Sequence, residues 1–268
     1  MLPDGVLDGL REKIKRRGLY ALEDVFAFES GEDLDKPGLG HRRRTKLRLD
    51  ADGKTYTLFL KRYDPERPGQ RRRLRSQAQS EAGAETHNIA CVTAAGIATM
   101  QVVHWGEEIV SGAVGRSFLF VTAVGGEALE RCAEAYLAGG DASRGGELAH
   151  SLAELVGKLH AVGLVHRDLY ASHIFLDSAD PAATLHLIDL ARVFAPRWRK
   201  LRWRVKDVAQ LKYSMPADWA AAHWCEFMGG YVAAVGERYR RRFERAVDRK
   251  VGRIARHARR RQQREQRA

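Results

Sequence analysis

The stretch VHRDLYASHIFL, residues 165–176, sets a charged triplet, His166-Arg167-Asp168, between apolar flanks and adds His173 five residues after the aspartate. Apolar residues on both sides suit a buried strand and turn. Ionisable groups, however, are costly to bury unless they are paired or hydrogen-bonded. The segment is therefore either a strand-turn with accidental charges or a loop held in place for chemistry, and its surroundings decide which.

On its N-terminal side, residues 146–163 carry Leu148, Leu152, Leu155, Val156 and Leu159 at helical spacing and end at Gly163. On its C-terminal side, TLHLIDLARVF (184–194) predicts a short strand ending in Asp189. Nearer the N-terminus, TKLRLDADGKTYTLFLK (45–61) alternates polar and apolar positions around DADG, the pattern of a β-hairpin with Lys61 closing its second strand. EDVFAFES (23–30) reads as another strand, and SGEDLDKPGLG (30–40) as the glycine-bearing loop joining it to the hairpin. Residues 71–94 are helix-like, with a basic first half and then Glu85, Ile89 and Val92 before Gly96. MQVVHWGEE (100–108) and GRSFLFVTAV (115–124) add two strands. The expected class is α+β and bilobal: a β-rich N-terminal lobe with one helix over 1–124, a mainly helical lobe over 125–236, and a basic tail over 237–268. The stretch 123–127 is the natural hinge.

A chain of 268 residues with 44% hydrophobic content can bury a core of this size. Its three cysteines, Cys91, Cys132 and Cys225, lack the spacing of a disulfide framework or a zinc site, which suits a reducing cytosol. No signal-like N-terminus and no apolar run long enough to span a bilayer is present, so the protein is expected to stay on the side where it was made. Of the net charge of +12, ten units sit in residues 237–268, where 14 Lys/Arg face 4 Asp/Glu. Tyr239, Phe243, Val247, Val251, Ile254 and Ala258 draw an apolar stripe along that basic segment. Such a helix can lie on an anionic membrane surface, or it can pack on the domain with its arginines solvated. Nucleic acid is a weaker third candidate, because no aromatic-rich binding module accompanies the charge. No obligate protein partner is evident.

Phosphoryl transfer from ATP needs a cation for the phosphates, carboxylates for magnesium, and a carboxylate that orients the acceptor hydroxyl. Lys61, Glu85, Asp168 and Asp189 supply these in that order. Singly, Lys61 is also a solvated strand end, Glu85 a helix-face charge and Asp189 a strand-end or cap residue. Their joint order is much harder to obtain by chance.

With those residues in view, the chain resembles the protein-kinase-like fold, and within it the kinases that phosphorylate heptose or Kdo sugars of the lipopolysaccharide core. The resemblance covers roughly residues 40–215 and rests on four segments. These are HRDLYASHIFL; LHLIDLARV, with Arg192 three residues after Asp189; AETHNIACVTAAGI, with Glu85 eleven residues before Gly96; and RWRVKDVAQLKYSM. Its most specific mark is His173, standing where ordinary kinases carry asparagine. The resemblance implies that Lys61 holds the ATP phosphates, Glu85 orients Lys61, Asp168 accepts the sugar hydroxyl's proton in the His166-Arg167-Asp168 loop, and Asp189 binds Mg²⁺. His173 is then a metal ligand or a hydrogen-bond partner of Asp168 or of a metal-bound water, since magnesium prefers oxygen. Arg192 anchors the metal loop or an anionic substrate, or is a structural ion-pair partner. Asp207 is the helix aspartate that accepts the catalytic loop's N–H groups.

The glycine-rich loop is degenerate, with only Gly38 and Gly40 ahead of Arg42–Arg44; Asp189 opens D-L-A where kinases read D-F-G, and no A-P-E follows. These departures favour a small-molecule or glycolipid acceptor over a protein. The resemblance thus implies an ATP- and Mg²⁺-dependent kinase acting on a lipopolysaccharide core sugar, peripheral on the cytoplasmic face of the inner membrane. A kinase with a protein or other glycolipid acceptor, or a catalytically dead scaffold, are the alternatives, and intact Lys61, Asp168 and Asp189 argue against the scaffold.

Overall fold

The computed structural model describes residues 1–34, 41–64, 80–110, 113–139, 143–178, 183–236 and 240–266. It divides into unit 1, Met1–Cys91 with Thr99–Val124, and unit 2, Val92–Ala98 with Gly125–Ala268.

Unit 1 starts with α1 (Asp4–Arg16) and α2 (Leu22–Ala27) and continues into β1 (Glu32–Asp33), β2 (Arg42–Ala51) and β3 (Lys54–Tyr63). α3 (Glu81–Ala94) then leads to β4 (Val102–Val110) and β5 (Ala113–Thr122). The strands form one antiparallel sheet in the order β1-β2-β3-β5-β4. The β2–β3 hairpin closes at Ala51 opposite Lys54, and Asp52 and Gly53 take positive φ of 49° and 71°, as a twist-matched two-residue turn requires. Alternation along β3 sends Leu58 and Leu60 to one face and Lys61 to the other.

Two features depart from the sequence reading. EDVFAFES is not a strand, because Leu22, Val25 and Phe26 share a helical face and the first five of its residues lie in α2. The buried Arg62 guanidinium donates to the carbonyls of Val25 and Phe28 at 3.3 and 2.6 Å, satisfying acceptors that a helix end leaves open. Among the described residues unit 1 therefore contains α1 and α2 besides α3, three helices where one is expected. A two-faced sheet needs cover on both sides: Leu10 and Ile14 of α1 and Val25 of α2 join Leu47, Leu49, Leu58, Leu60, Phe118 and Phe120 in one core. Gly38, Gly40 and the first part, 71–79, of the helix expected over 71–94 lie outside the described residues, while α3 forms its second half.

Unit 2 holds α4 (Leu129–Ala138), α5 (Arg144–Ala161), α6 (Lys200–Ser214), α7 (Ala217–Val235) and α8 (Arg240–Glu265). A small antiparallel sheet, β6 (Glu127–Ala128), β7 (Ile174–Leu176) and β8 (Leu185–Leu187), flanks them. The expected leucine stripe of α5 is buried. α5 packs closely on α7: a Cβ built at Gly157 would come within 2.6 Å of the Ala234 Cβ. On α8, Phe243 and Val247 are buried. The Phe243 ring lies 5.5 Å from Tyr231 of α7, and Asp248 meets Lys212 of α6 at 2.8 Å. The first half of the basic tail helix is thus part of the packed body of unit 2, while Val251, Ile254 and Ala258 remain half-buried and Tyr239 lies outside the described residues.

Candidate active site

In unit 1, Lys61 Nζ donates to Glu85 Oε1 at 2.5 Å, joining the end of β3 to α3. Glu85 is fully buried, and a carboxylate there stays charged only if its oxygens are partnered. Lys61 serves one oxygen; the Tyr63 hydroxyl donates to the other at 2.9 Å. Burial, and after it the neighbouring Glu85 charge, push the Tyr63 hydroxyl well above its ordinary pKa, so it remains a proton donor. Tyr63 was missed by the sequence reading, although its position two residues after Lys61 on the same strand face was a legible signal.

In unit 2 the catalytic-type loop is held from beneath. The Asp207 carboxylate, buried on α6, accepts the backbone N–H of His166 at 2.6 Å and of Arg167 at 2.8 Å. His160 of α5 stands 3.3 Å from the same carboxylate through Nε2 and 2.9 Å from the Tyr231 hydroxyl through Nδ1. His166 Nε2 donates to the Ile188 carbonyl at 3.0 Å, tying the loop to the strand that precedes Asp189. Burial lowers the pKa of both His160 and His166. Arg167 (φ 73°) and Asp189 (φ 58°) both hold the left-handed conformation, rare for side-chain-bearing residues and common at functional loops.

Asp168 projects from this frame. Arg192 Nη1 contacts its Oδ2 at 2.6 Å. Lys206 Nζ lies 3.7 Å from its Oδ1 and also donates to the Arg167 carbonyl. Lys206 was not singled out from the sequence. Its only advance sign was its place next to Asp207, on a helix that runs under the loop.

His173 Nδ1 donates to the Asp168 carbonyl at 2.7 Å. Because a carbonyl can only accept, Nδ1 carries a proton, and in the neutral ring Nε2 bears the lone pair. That Nε2 stands 3.7 Å from Asp189 Oδ2. A lone pair and a carboxylate oxygen at this spacing suit a shared cation or proton. Among the described residues no cluster of three or more His, Cys, Asp or Glu side chains is assembled for a metal. The donor set still fits Mg²⁺, which is commonly held by one or two carboxylates together with waters and substrate phosphates. Thus Lys61 and Glu85 meet in unit 1, and His166, Arg167, Asp168, His173, Asp189, Arg192 and Asp207 meet in unit 2.

A β-rich unit with a Lys–Glu pair and a helical unit with this loop define a protein-kinase-like fold. The model of the lipopolysaccharide kinase (Kdo/WaaP) family matches residues 70–231, and the chain belongs to that family. It is 37% identical over 71 residues to the lipopolysaccharide core heptose(I) kinase WaaP of Pseudomonas aeruginosa. That match spans 25% of this chain and only 26% of the heptose kinase. Among solved structures, one described as WaaP in complex with acyl carrier protein is similar at a TM-score of 0.65 and 25% identity, over 91% of this chain and 97% of that one.

Proposed function

We propose that this protein is an ATP-dependent kinase that phosphorylates a sugar hydroxyl, of heptose or Kdo, in the lipopolysaccharide inner core. The observation that carries the reading is the setting of Asp168. Arg192 holds its Oδ2 at 2.6 Å while Lys206 stands farther off, 3.7 Å from Oδ1, so Oδ1 is the oxygen we assign to the acceptor hydroxyl. The acceptor hydroxyl gives its proton to Oδ1 as its oxygen attacks the γ-phosphorus; the new P–O bond forms, and ADP leaves with the electron pair of the bond that breaks. Lys61, braced by Glu85 and Tyr63, pairs with the nucleotide phosphates. Mg²⁺, when bound, neutralises phosphate charge, and Asp189 with Nε2 of His173 would hold it. Positioning and charge account for most of what a protein contributes to this reaction.

The test is transfer from γ-labelled ATP to lipopolysaccharide core lacking phosphate, with the modified hydroxyl located by mass spectrometry. Labelled core from the wild type and none from Asp168→Ala is the expected result; ATP hydrolysis with no labelled sugar would move the acceptor elsewhere. The setting we assign is the cytoplasmic face of the inner membrane. Among the described residues no helix is long and apolar enough to cross a membrane, and the basic second half of α8 supports surface attachment. No protein partner is evident from the sequence alone, but the similar structure contains an acyl carrier protein. Such a carrier is therefore a candidate partner here too, testable by co-purification.

A further inference from the structure

Between Phe194 and Trp203 unit 2 displays a surface that the phosphotransfer site does not use. The two rings meet edge to face at 5.3 Å and 88°, and the Arg167 guanidinium lies 5.5 Å from each. The segment is thereby clasped at both ends to the residue beside Asp168. In between stand Arg197, Trp198, Arg199, Lys200, Leu201 and Arg202, all exposed, with Trp198 at 83% and Leu201 at 49%. No acidic residue occurs between Asp189 and Asp207. Among the described residues the side chains of Arg197, Trp198, Arg199 and Lys200 have no hydrogen bond, ion pair or ring contact. Arg199, at φ 56°, holds a left-handed conformation, costly for a residue with a side chain, at the turn from Trp198 into α6.

A tryptophan left in water gives up a large burial free energy unless something covers it in use. A single projecting Trp ringed by cations, with no acidic side chain among them, has the chemistry of segments that sit at the headgroup level of an anionic bilayer. We infer that residues 197–202 are a membrane-docking surface, with Trp198 seated among the headgroups and Arg197, Arg199, Lys200 and Arg202 facing lipid phosphates. This is a contact separate from α8. It rests on the proposed function in one respect, that the acceptor is embedded in that bilayer; docking beside the Arg167–Asp168 loop then presents Asp168 to the membrane surface.

The full chain is mixed with phosphatidylcholine vesicles with or without phosphatidylglycerol, some carrying acyl chains brominated near the headgroup. Binding is read by co-sedimentation, and the depth of Trp198 by the quenching lost in Trp198→Phe. The expected result is phosphatidylglycerol-dependent binding, quenching that disappears in W198F, and roughly a tenfold or greater loss of partitioning in W198A and in the double variant R197E/R199E. All replaced side chains are solvent-exposed, and an unchanged melting temperature verifies the fold. Equal binding by wild type and variants would overturn the inference. So would a Trp198 signal that responds to a soluble acidic protein, such as an acyl carrier protein, and not to vesicles. Because no turnover is read, a protein that docks but transfers no phosphate would sink the kinase reading and leave the docking surface standing.

Discussion

Lys206 Nζ stands 3.7 Å from Asp168 Oδ1 while donating to the Arg167 carbonyl, so the carboxylate lies between Lys206 and Arg192. Burial lowers the Lys206 pKa; Asp168 and Asp207 raise it, and Arg192 and Arg167 lower it further. Its charge is therefore lost at a lower pH than that of an ordinary lysine, and activity should fall on the alkaline side as it goes. Lys206→Met should cut kcat by about tenfold or more, with KM for ATP little changed. In Lys206→Arg the alkaline fall should move to higher pH, since a guanidinium stays protonated. An alkaline limb identical in all three proteins would mean that Lys206 only props the loop.

The two buried imidazoles, His160 and His166, make stability depend on pH. Burial lowers their pKa in the folded state. Below about pH 6.5 the unfolded chain therefore binds more protons at these sites than the folded one, and unfolding gains. The melting temperature should be flat above that pH and drop as the solution is acidified through it. His160→Gln, which cannot take up that proton, should show a shallower drop from a lower starting value. A wild-type melting temperature level down to pH 5 would refute this.

His173→Asn should keep more activity than His173→Ala and need less Mg²⁺ for half-maximal rate. An amide oxygen can take over a ligand role that a methyl group cannot. Equal losses would instead assign His173 to its bond with the Asp168 carbonyl.

Tyr63→Phe removes the donor from one oxygen of a fully buried carboxylate, and should lower stability by about 1–3 kcal/mol in chemical denaturation. Glu85→Gln should raise KM for ATP more than it lowers stability, because Lys61 loses the charge that orients it. If Tyr63→Phe is as stable as wild type, Lys61 alone suffices to keep Glu85 satisfied.

Shortening the chain separates the packed and basic parts of α8. Truncation after Val251 keeps Phe243, Val247 and Asp248 in place, so the protein should fold and turn over a soluble sugar fragment normally, yet bind anionic vesicles less well. Truncation before Arg240 should lower the melting temperature sharply. Unfolding by the shorter cut would count against a surface role for the second half of the helix.

Much of this was legible in advance. The Asp-Gly turn and strict alternation specified the β2–β3 hairpin, and five aliphatic residues at helical spacing specified α5. The loop aspartates were legible because phosphoryl transfer requires particular groups in a particular order. What escaped depended on faces that only folding brings together. A six-residue helix such as α2 is too short for periodicity to separate it from a strand. α1 shows its purpose only once the sheet behind it has a second face to cover. Lys206 hid beside Asp207 because nothing along the chain reveals that neighbouring residues of one helix both reach the loop, one its amides and the other its carbonyl and carboxylate.

Asp207 grips the backbone of His166 and Arg167 rather than their side chains. A loop fastened by its amides keeps its path whatever is displayed above it. Leu169 and Ala171 are buried anchors, whereas Tyr170 and Ser172 are only half-covered. Those two positions can therefore drift over generations, or be randomised in a library, without dislodging Asp168. The path of the loop is thus its fixed layer, and the half-covered side chains of Tyr170 and Ser172 are its evolvable one.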